Sequence, residues 1–214
     1  MPNSYTTLWT NHLCRELERS GYAGRRLTML FGGPHQSLPS FRRAGVQPGD
    51  RIYPVRVLGA QLYVLGALEV SRIIPHEDAG AVLHDDDYAE LLDWRPLKAG
   101  CVTEVVTGPP GSALSFGTTV PPDLLERLTY TSRRGERSLK HVQEGRLIHS
   151  ISVQGIYRLA PASATELHRL VGNADAPART PQTPRSRPAF RRKRDLVTIP
   201  ESYSRTVVCG PVGI

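Results

Sequence analysis

Apolar positions recur along the chain with two different periods, and the change of period marks off its parts. Over residues 11–20 (NHLCRELERS) Leu13 and Leu17 stand four apart and Gly21 follows, so a short helix is expected there. A second short helix is expected over 37–44 (SLPSFRRA), with Phe41 turned inward, Arg42 and Arg43 turned out, and Gly45 ending it. Val46-Gln47-Pro48-Gly49-Asp50 then carries turn chemistry, because Pro fixes φ and Gly stands next to it.

After that turn the chain becomes rich in β-branched and aromatic residues. Segments 51–58 (RIYPVRVL) and 61–74 (QLYVLGALEVSRII) are separated only by Gly59 and Ala60, the strongest hairpin signal in the sequence. Pro54 then belongs at an edge or bulge, and Gly66 at a bulge or sharp bend. Further strands are expected over 101–107, 127–131, 138–142 and 147–159, with Gly135, Gly145 and Gly155 at turns or bulges. Ser163-Ala164-Thr165-Glu166 fits a capping box, followed by Leu167, Leu170 and Val171 on one helix face and Gly172 as terminator.

The sum predicts a mainly β domain with short helices, an α+β class, over residues 4–172. Nothing alternates as a doubly wound sheet requires, and no repeat is present, so a small, partly open barrel is the expected architecture. Residues 173–195 combine Pro, Ala, Thr and Arg with almost no large apolar side chain and read as a disordered linker. Residues 196–214 recover apolar side chains and could dock back on the body.

Charge changes this picture. The net +7 of the 214-residue chain divides into +5 for residues 1–74, −7 for 75–93, +4 for 94–171 and +5 for 172–214. An acidic segment thus masks a basic domain, and 24 of the 27 basic residues are Arg, which suits phosphate groups and base edges. Cys14, Cys101 and Cys209 have no short spacing, so neither a disulfide framework nor a zinc knuckle is supported. No apolar run approaches the roughly 18 residues of a membrane span, and the N-terminus lacks a signal-peptide pattern, so a cytoplasmic protein with no membrane partner is expected.

Candidate chemistry is that of binding. Trp9, Asn11, Tyr22, Arg25, Arg26, His35, Arg42 and Arg43 gather aromatic and basic groups within 35 residues, as recognition of single-stranded or flipped-out bases requires. The glycine-led run 32–37 could offer backbone amides to an anion ahead of the second helix. Arg133, Arg134, Arg137 and Lys140 read as a basic hairpin tip, and Arg191, Arg192, Lys193 and Arg194 as a cluster adding counterion-release affinity. His76, His84 and Asp85-Asp86-Asp87 have no recognised ligand spacing and read as an acidic surface loop. His12 and Cys14 lie on different helix faces. No nucleophile elbow or phosphate loop occurs, and neither a cofactor nor a metal is expected.

The order helix, short second helix, then Val46-Gln47-Pro48-Gly49-Asp50-Arg51-Ile52-Tyr53 leading into a long hairpin resembles the PUA-like superfamily, in particular its ASCH and EVE branches. The match is best over residues 8–74 and weaker over 127–171, while 75–126 would be an insertion or elaborated crossover. The ASCH pattern Gly-x-Lys-x-x-Glu-x-Arg is absent, because this chain reads Gly21-Tyr22-Ala23-Gly24-Arg25-Arg26-Leu27 at that place, so hydrolytic activity of some members does not carry over. What the resemblance implies is a PUA-like barrel that reads RNA or a modified base in a basic cleft. The alternatives are an enzyme on the same scaffold, such as a nuclease, or an interaction protein whose tail takes a protein partner.

Overall fold

A computed structural model describes residues 2–35, 38–83 and 102–175. The chain divides into two units, 1–178 and 179–214, and all the described residues lie in the first. The main sheet is built on β3 (Arg51–Leu58), whose bounds are those the apolar pattern predicts. It pairs parallel with β1 (Ser4–Leu8) and antiparallel with β4 (Gln61–Val64) and the two-residue β5 (Leu68–Glu69). β12 (Ile156–Arg158) pairs antiparallel with the other edge of β1.

The β3–β4 hairpin closes over Gly59 and Ala60, both at positive φ (59° and 61°), as a two-residue turn matched to strand twist requires. The segment expected as one strand over 61–74 is instead β4, β5 and β6 (Arg72–Pro75). Val55 pairs with Val64 and Ile52 with Leu68, so Leu65-Gly66-Ala67 oppose only Tyr53 and Pro54. The bulge falls where Pro54 lacks a ladder donor and Gly66 permits the bend.

A second sheet runs in the order β2 (Met29–Gly32), β7 (Glu104–Thr107), β6. Two small antiparallel ribbons complete the β structure, β8 (Thr129–Ser132) with β9 (Gly135–Ser138), and β10 (Val142–Gln143) with β11 (Arg146–Leu147). The architecture among the described residues is mixed sheets with short helices, an α+β arrangement without barrel closure.

Helix α1 (Asn11–Arg19) lies where the periodicity predicts it. The Thr10 hydroxyl accepts from the Leu13 amide, and Cys14 and Leu17 are its buried face. The helix expected over 37–44 is a turn at 41–45, with Phe41 buried and Arg42 and Arg43 exposed as predicted. The buried carboxylate of Glu104, distant in sequence, captures the Phe41 and Arg42 amides, which that helix would have bonded within itself. α2 (His76–Val82) and α3 (Pro122–Arg127) stand where the sequence signals no helix, α3 taking up residues before the strand expected at 127. Within the strand expected over 147–159, a 3-10 turn (Ser150–Val153) separates β11 from β12.

α4 (Pro161–Asp175) starts before its expected capping box and runs three residues into the segment read as linker. Ser163 does not cap it, because its hydroxyl accepts from the Thr129 amide at 2.9 Å and so ties α4 to β8. Gly172 lies within the helix and is exposed, with nothing within 4 Å of where a Cβ would stand. Gly172→Ala is therefore expected to stabilise the fold by about 0.5–1 kcal/mol in urea unfolding, and a destabilised variant would contradict this placement.

The Val46–Asp50 motif has a structural reason. Asp50 is buried, and its carboxylate accepts from the Asn3 amide at 2.7 Å and the Gln47 amide at 2.9 Å, pinning the turn to the start of β1.

Burial of acidic side chains, Cys14 and Tyr130 among them, weakens the fold at alkaline pH. Burial pushes the Cys14 thiol from 9.0 to about 12 against the opposing charge of Arg56. Burial likewise pushes Tyr130 from 10.0 to about 12, opposed by its hydrogen bond with Thr6. Both groups stay neutral in the fold at pH values where the unfolded chain has lost their protons, so their contribution is whole below about pH 9 and is lost between pH 9 and 12. Tyr130→Phe should flatten the alkaline fall in stability, measured as urea midpoints against pH; an unchanged profile would contradict it.

Candidate nucleic-acid interface

The residues singled out in the sequence separate into three places. Near α1, Tyr22 is buried with the Arg25 guanidinium 4.5 Å from its ring centre, so its aromatic face is already covered. Arg26 donates to the Gly111 carbonyl at 2.9 Å. Trp9 is half-buried and packs between two core clusters. Asn11 is committed on both sides of its amide, donating to the Val57 carbonyl at 3.0 Å and accepting from Arg56 Nε at 2.8 Å. Each of these five residues has a contact within the fold.

The second place is an open groove of about 510 Å³. One wall is formed by Gly33, Pro34 and His35 together with Pro39, Ser40, Arg43 and Ala44. The other is the 3-10 turn and the start of β12, contributing Ile151, Gln154, Gly155 and Tyr157. His35 and Arg43 are exposed, Ile151 is 61% and Tyr157 39% exposed, so a cation, an imidazole, an amide and an aromatic ring line one accessible depression.

Glu104 of β7 shapes the first wall. Only 4% exposed, it accepts a short hydrogen bond from the Phe41 amide, a second from the Arg42 amide at 3.4 Å and a third from the Ser40 hydroxyl at 3.2 Å. Arg42 Nε stands 4.0 Å from the same carboxylate, and Arg42 Nη2 donates to the Ile73 carbonyl at 2.7 Å. A Cβ on Gly32 would meet Glu104 Oε1 at 2.6 Å, so the glycine admits the protein's own carboxylate. Glu104 takes the Phe41 and Arg42 amides at the start of the turn. Arg42 is anchored, while the Arg43 side chain remains at the groove.

The second wall is fixed by the third place, the basic ribbon. Tyr157 packs edge-on against Tyr130 of β8, ring centres 5.7 Å apart, and the Ser152 hydroxyl donates to the Lys140 carbonyl at 2.8 Å. Arg133 and Arg134 form the tip between β8 and β9, as predicted, and Arg137 lies opposite Tyr130. All four basic residues of this run are exposed. The ribbon is tied to the main sheet by a bridge between Tyr130 and Leu159, so groove wall and ribbon belong to one supported surface.

No family model matches the chain, and no curated protein matches it. Among solved structures the chain is similar to a serine-to-alanine variant of an ASCH protein from Zymomonas mobilis, with 12% identity, 79% of this chain and 99% of that chain covered, and a TM-score of 0.37. At that score the two chains overlap coarsely, and the groove is read from its own geometry.

Arg191, Arg192, Lys193 and Arg194 lie outside the described residues, as do Gln36, Ser37, His84 and Asp85-Asp86-Asp87. His76 opens α2, and among the described residues no three His, Cys, Asp or Glu side chains gather to hold a metal. Cys14 is fully buried while His12 is exposed, in line with their separate helix faces. No helix among the described residues is long and apolar enough to cross a membrane. Ile151, Gln154 and Tyr157 escape a reading of the sequence because they face the 33–44 segment only in the folded chain. The exposed Tyr in the otherwise strand-like GIYRL is the one signal they leave.

Proposed function

We propose that the protein binds single-stranded nucleic acid, RNA or a strand with a modified base, on a PUA-like scaffold. One base stacks at Tyr157, and the backbone runs from Arg43 and His35 towards Lys140 and the β8–β9 ribbon. The observation that carries this reading is the single groove that joins Arg43 and His35 to an exposed aromatic and an exposed amide. Aromatic faces accept any base, the guanidinium suits phosphate, and Gln154 can address a base edge, so affinity comes from stacking and charge with modest sequence preference.

Fluorescence anisotropy with short RNA and DNA oligonucleotides tests it. Tyr157→Ala removes a stacking face worth about 1–3 kcal/mol, so affinity should fall by about tenfold or more, while Arg19→Ala, on the exposed side of α1, should leave it unchanged. Equal affinity in Tyr157→Ala and wild type would remove Tyr157 from the interface. Arg133→Ala combined with Arg134→Ala should weaken all sequences alike and flatten the dependence on log salt by about 0.7 for each phosphate no longer neutralised. An unchanged salt slope would detach the ribbon from the binding path.

A further inference from the structure

His141 and His149 are both exposed and stand in ring contact, their centres 5.3 Å apart and their planes at 80° to each other. The β10–β11 ribbon brings them together: Val142 pairs with Leu147, and the Ile148 amide donates to the His141 carbonyl at 2.9 Å. The Ser152 hydroxyl donates to the Lys140 carbonyl at 2.8 Å and its oxygen lies 3.4 Å from the His149 carbonyl, so the backbone beside each ring is braced. His141 holds φ at 60°, a conformation that residues with a side chain rarely adopt. Among the described residues neither ring has a hydrogen-bond or ion-pair partner, so the contact between the two imidazoles is the interaction their side chains make.

A neutral imidazole carries one ring nitrogen with an open lone pair. That nitrogen binds zinc at about 2.0–2.1 Å and lies about 1.1 Å from its ring centre, so two imidazoles on one tetrahedral ion hold their centres about 5.2 Å apart. The spacing of His141 and His149 is already that of a chelating pair. Both rings are at the surface, so a turn about χ2 aims the two lone pairs at one ion without moving the braced backbone. We propose that His141 and His149 form a two-imidazole site for a divalent ion of the zinc, nickel and copper class, with water in the remaining coordination positions. Imidazole suits these ions, whereas magnesium and calcium take oxygen ligands. An ion held there clamps the end of the β10–β11 ribbon to the 3-10 turn, whose Ile151 lines the groove. The site shares no residue with that groove and stands or falls independently of nucleic-acid binding.

The test is histidine-ring NMR of the full chain, labelled with 15N, stripped with a chelator and titrated with zinc chloride near neutral pH. His12, an exposed imidazole on α1, serves as the internal reference for a single ligand. The ring nitrogens of His141 and His149 should shift together and saturate at a zinc concentration about tenfold or more below the one that moves His12. His141→Asn retains a side chain that tolerates positive φ and should return His149 to the behaviour of His12, and His149→Asn should do the same to His141. Magnesium chloride at the same concentrations should move neither ring. A zinc dependence equal to that of His12 overturns the proposal. So does a response of either ring that survives unchanged when the other is replaced, or an equal response to magnesium. If a variant fails to fold, the comparison with His12 in the wild-type chain decides alone.

Discussion

Glu104→Ala is expected to lower the unfolding free energy by about 3 kcal/mol or more, one of the two largest effects foreseen for any single substitution in this chain. The carboxylate is buried, and it is the common acceptor for the Phe41 and Arg42 amides and the Ser40 hydroxyl. Truncation leaves those donors without an acceptor in an interior that also holds Phe41, which is 1% exposed. Glu104→Gln keeps the shape and one acceptor, so roughly half the loss is expected. Urea midpoints at unchanged m-value measure both. A Glu104→Ala protein within about 0.5 kcal/mol of wild type would show that the 41–45 turn stands without its carboxylate. Because the same turn carries Arg43 into the groove, Glu104→Ala should also weaken nucleic-acid binding although Glu104 touches no ligand.

Gly108→Ala should be as damaging for a different reason. The segment Gly108-Pro109-Pro110-Gly111 threads between the residues leading into β2 and β5, with the Gly108 amide donating to the Thr28 carbonyl at 3.2 Å and the Gly111 amide to the Leu27 carbonyl at 2.9 Å. A Cβ on Gly108 would stand 1.8 Å from the Glu69 carbonyl oxygen, which is backbone and cannot turn aside as a side chain would. β5 must separate from the 108–111 segment, and the bond from the Ser112 amide to the Ala67 carbonyl shares that strain. A loss of about 3 kcal/mol, or failure to accumulate folded protein, is expected. Gly117→Ala is the control, since nothing lies within 4 Å of that position and its φ is ordinary; it should be near neutral. Similar stability of the two variants would contradict the close approach at Gly108.

What the sequence makes legible is local. β3, its two-residue turn and α1 follow from apolar spacing and a Gly after or within each turn, all decided within a few residues. β1 leaves no such mark, because its SYTTL reads as half polar. Thr6 and Thr7 are nevertheless buried, and the strand gains its place by pairing parallel with β3, nearly fifty positions away, and antiparallel with β12. The helix expected over 37–44 lost to Glu104, and the capping box at Ser163 lost to Thr129, each a tertiary hydrogen bond overriding a local preference. The same physics divides the expected site. Tyr22, Arg25, Arg26, Asn11 and Arg42 have partners within the fold, whereas His35 and Arg43 reach the groove. Its opposite wall lies more than a hundred residues further on, where no local motif could announce it.

The central claim is that one groove, shared by the 33–44 segment and the start of β12, holds a nucleic-acid strand. Its most direct test is a double-mutant cycle of Arg43→Ala and Tyr157→Ala on affinity for a short single-stranded RNA, measured at two salt concentrations. Each variant should weaken binding, only Arg43→Ala should reduce the salt dependence, and the two losses should couple because both side chains hold adjacent parts of one nucleotide. Full affinity retained in the double variant would contradict it.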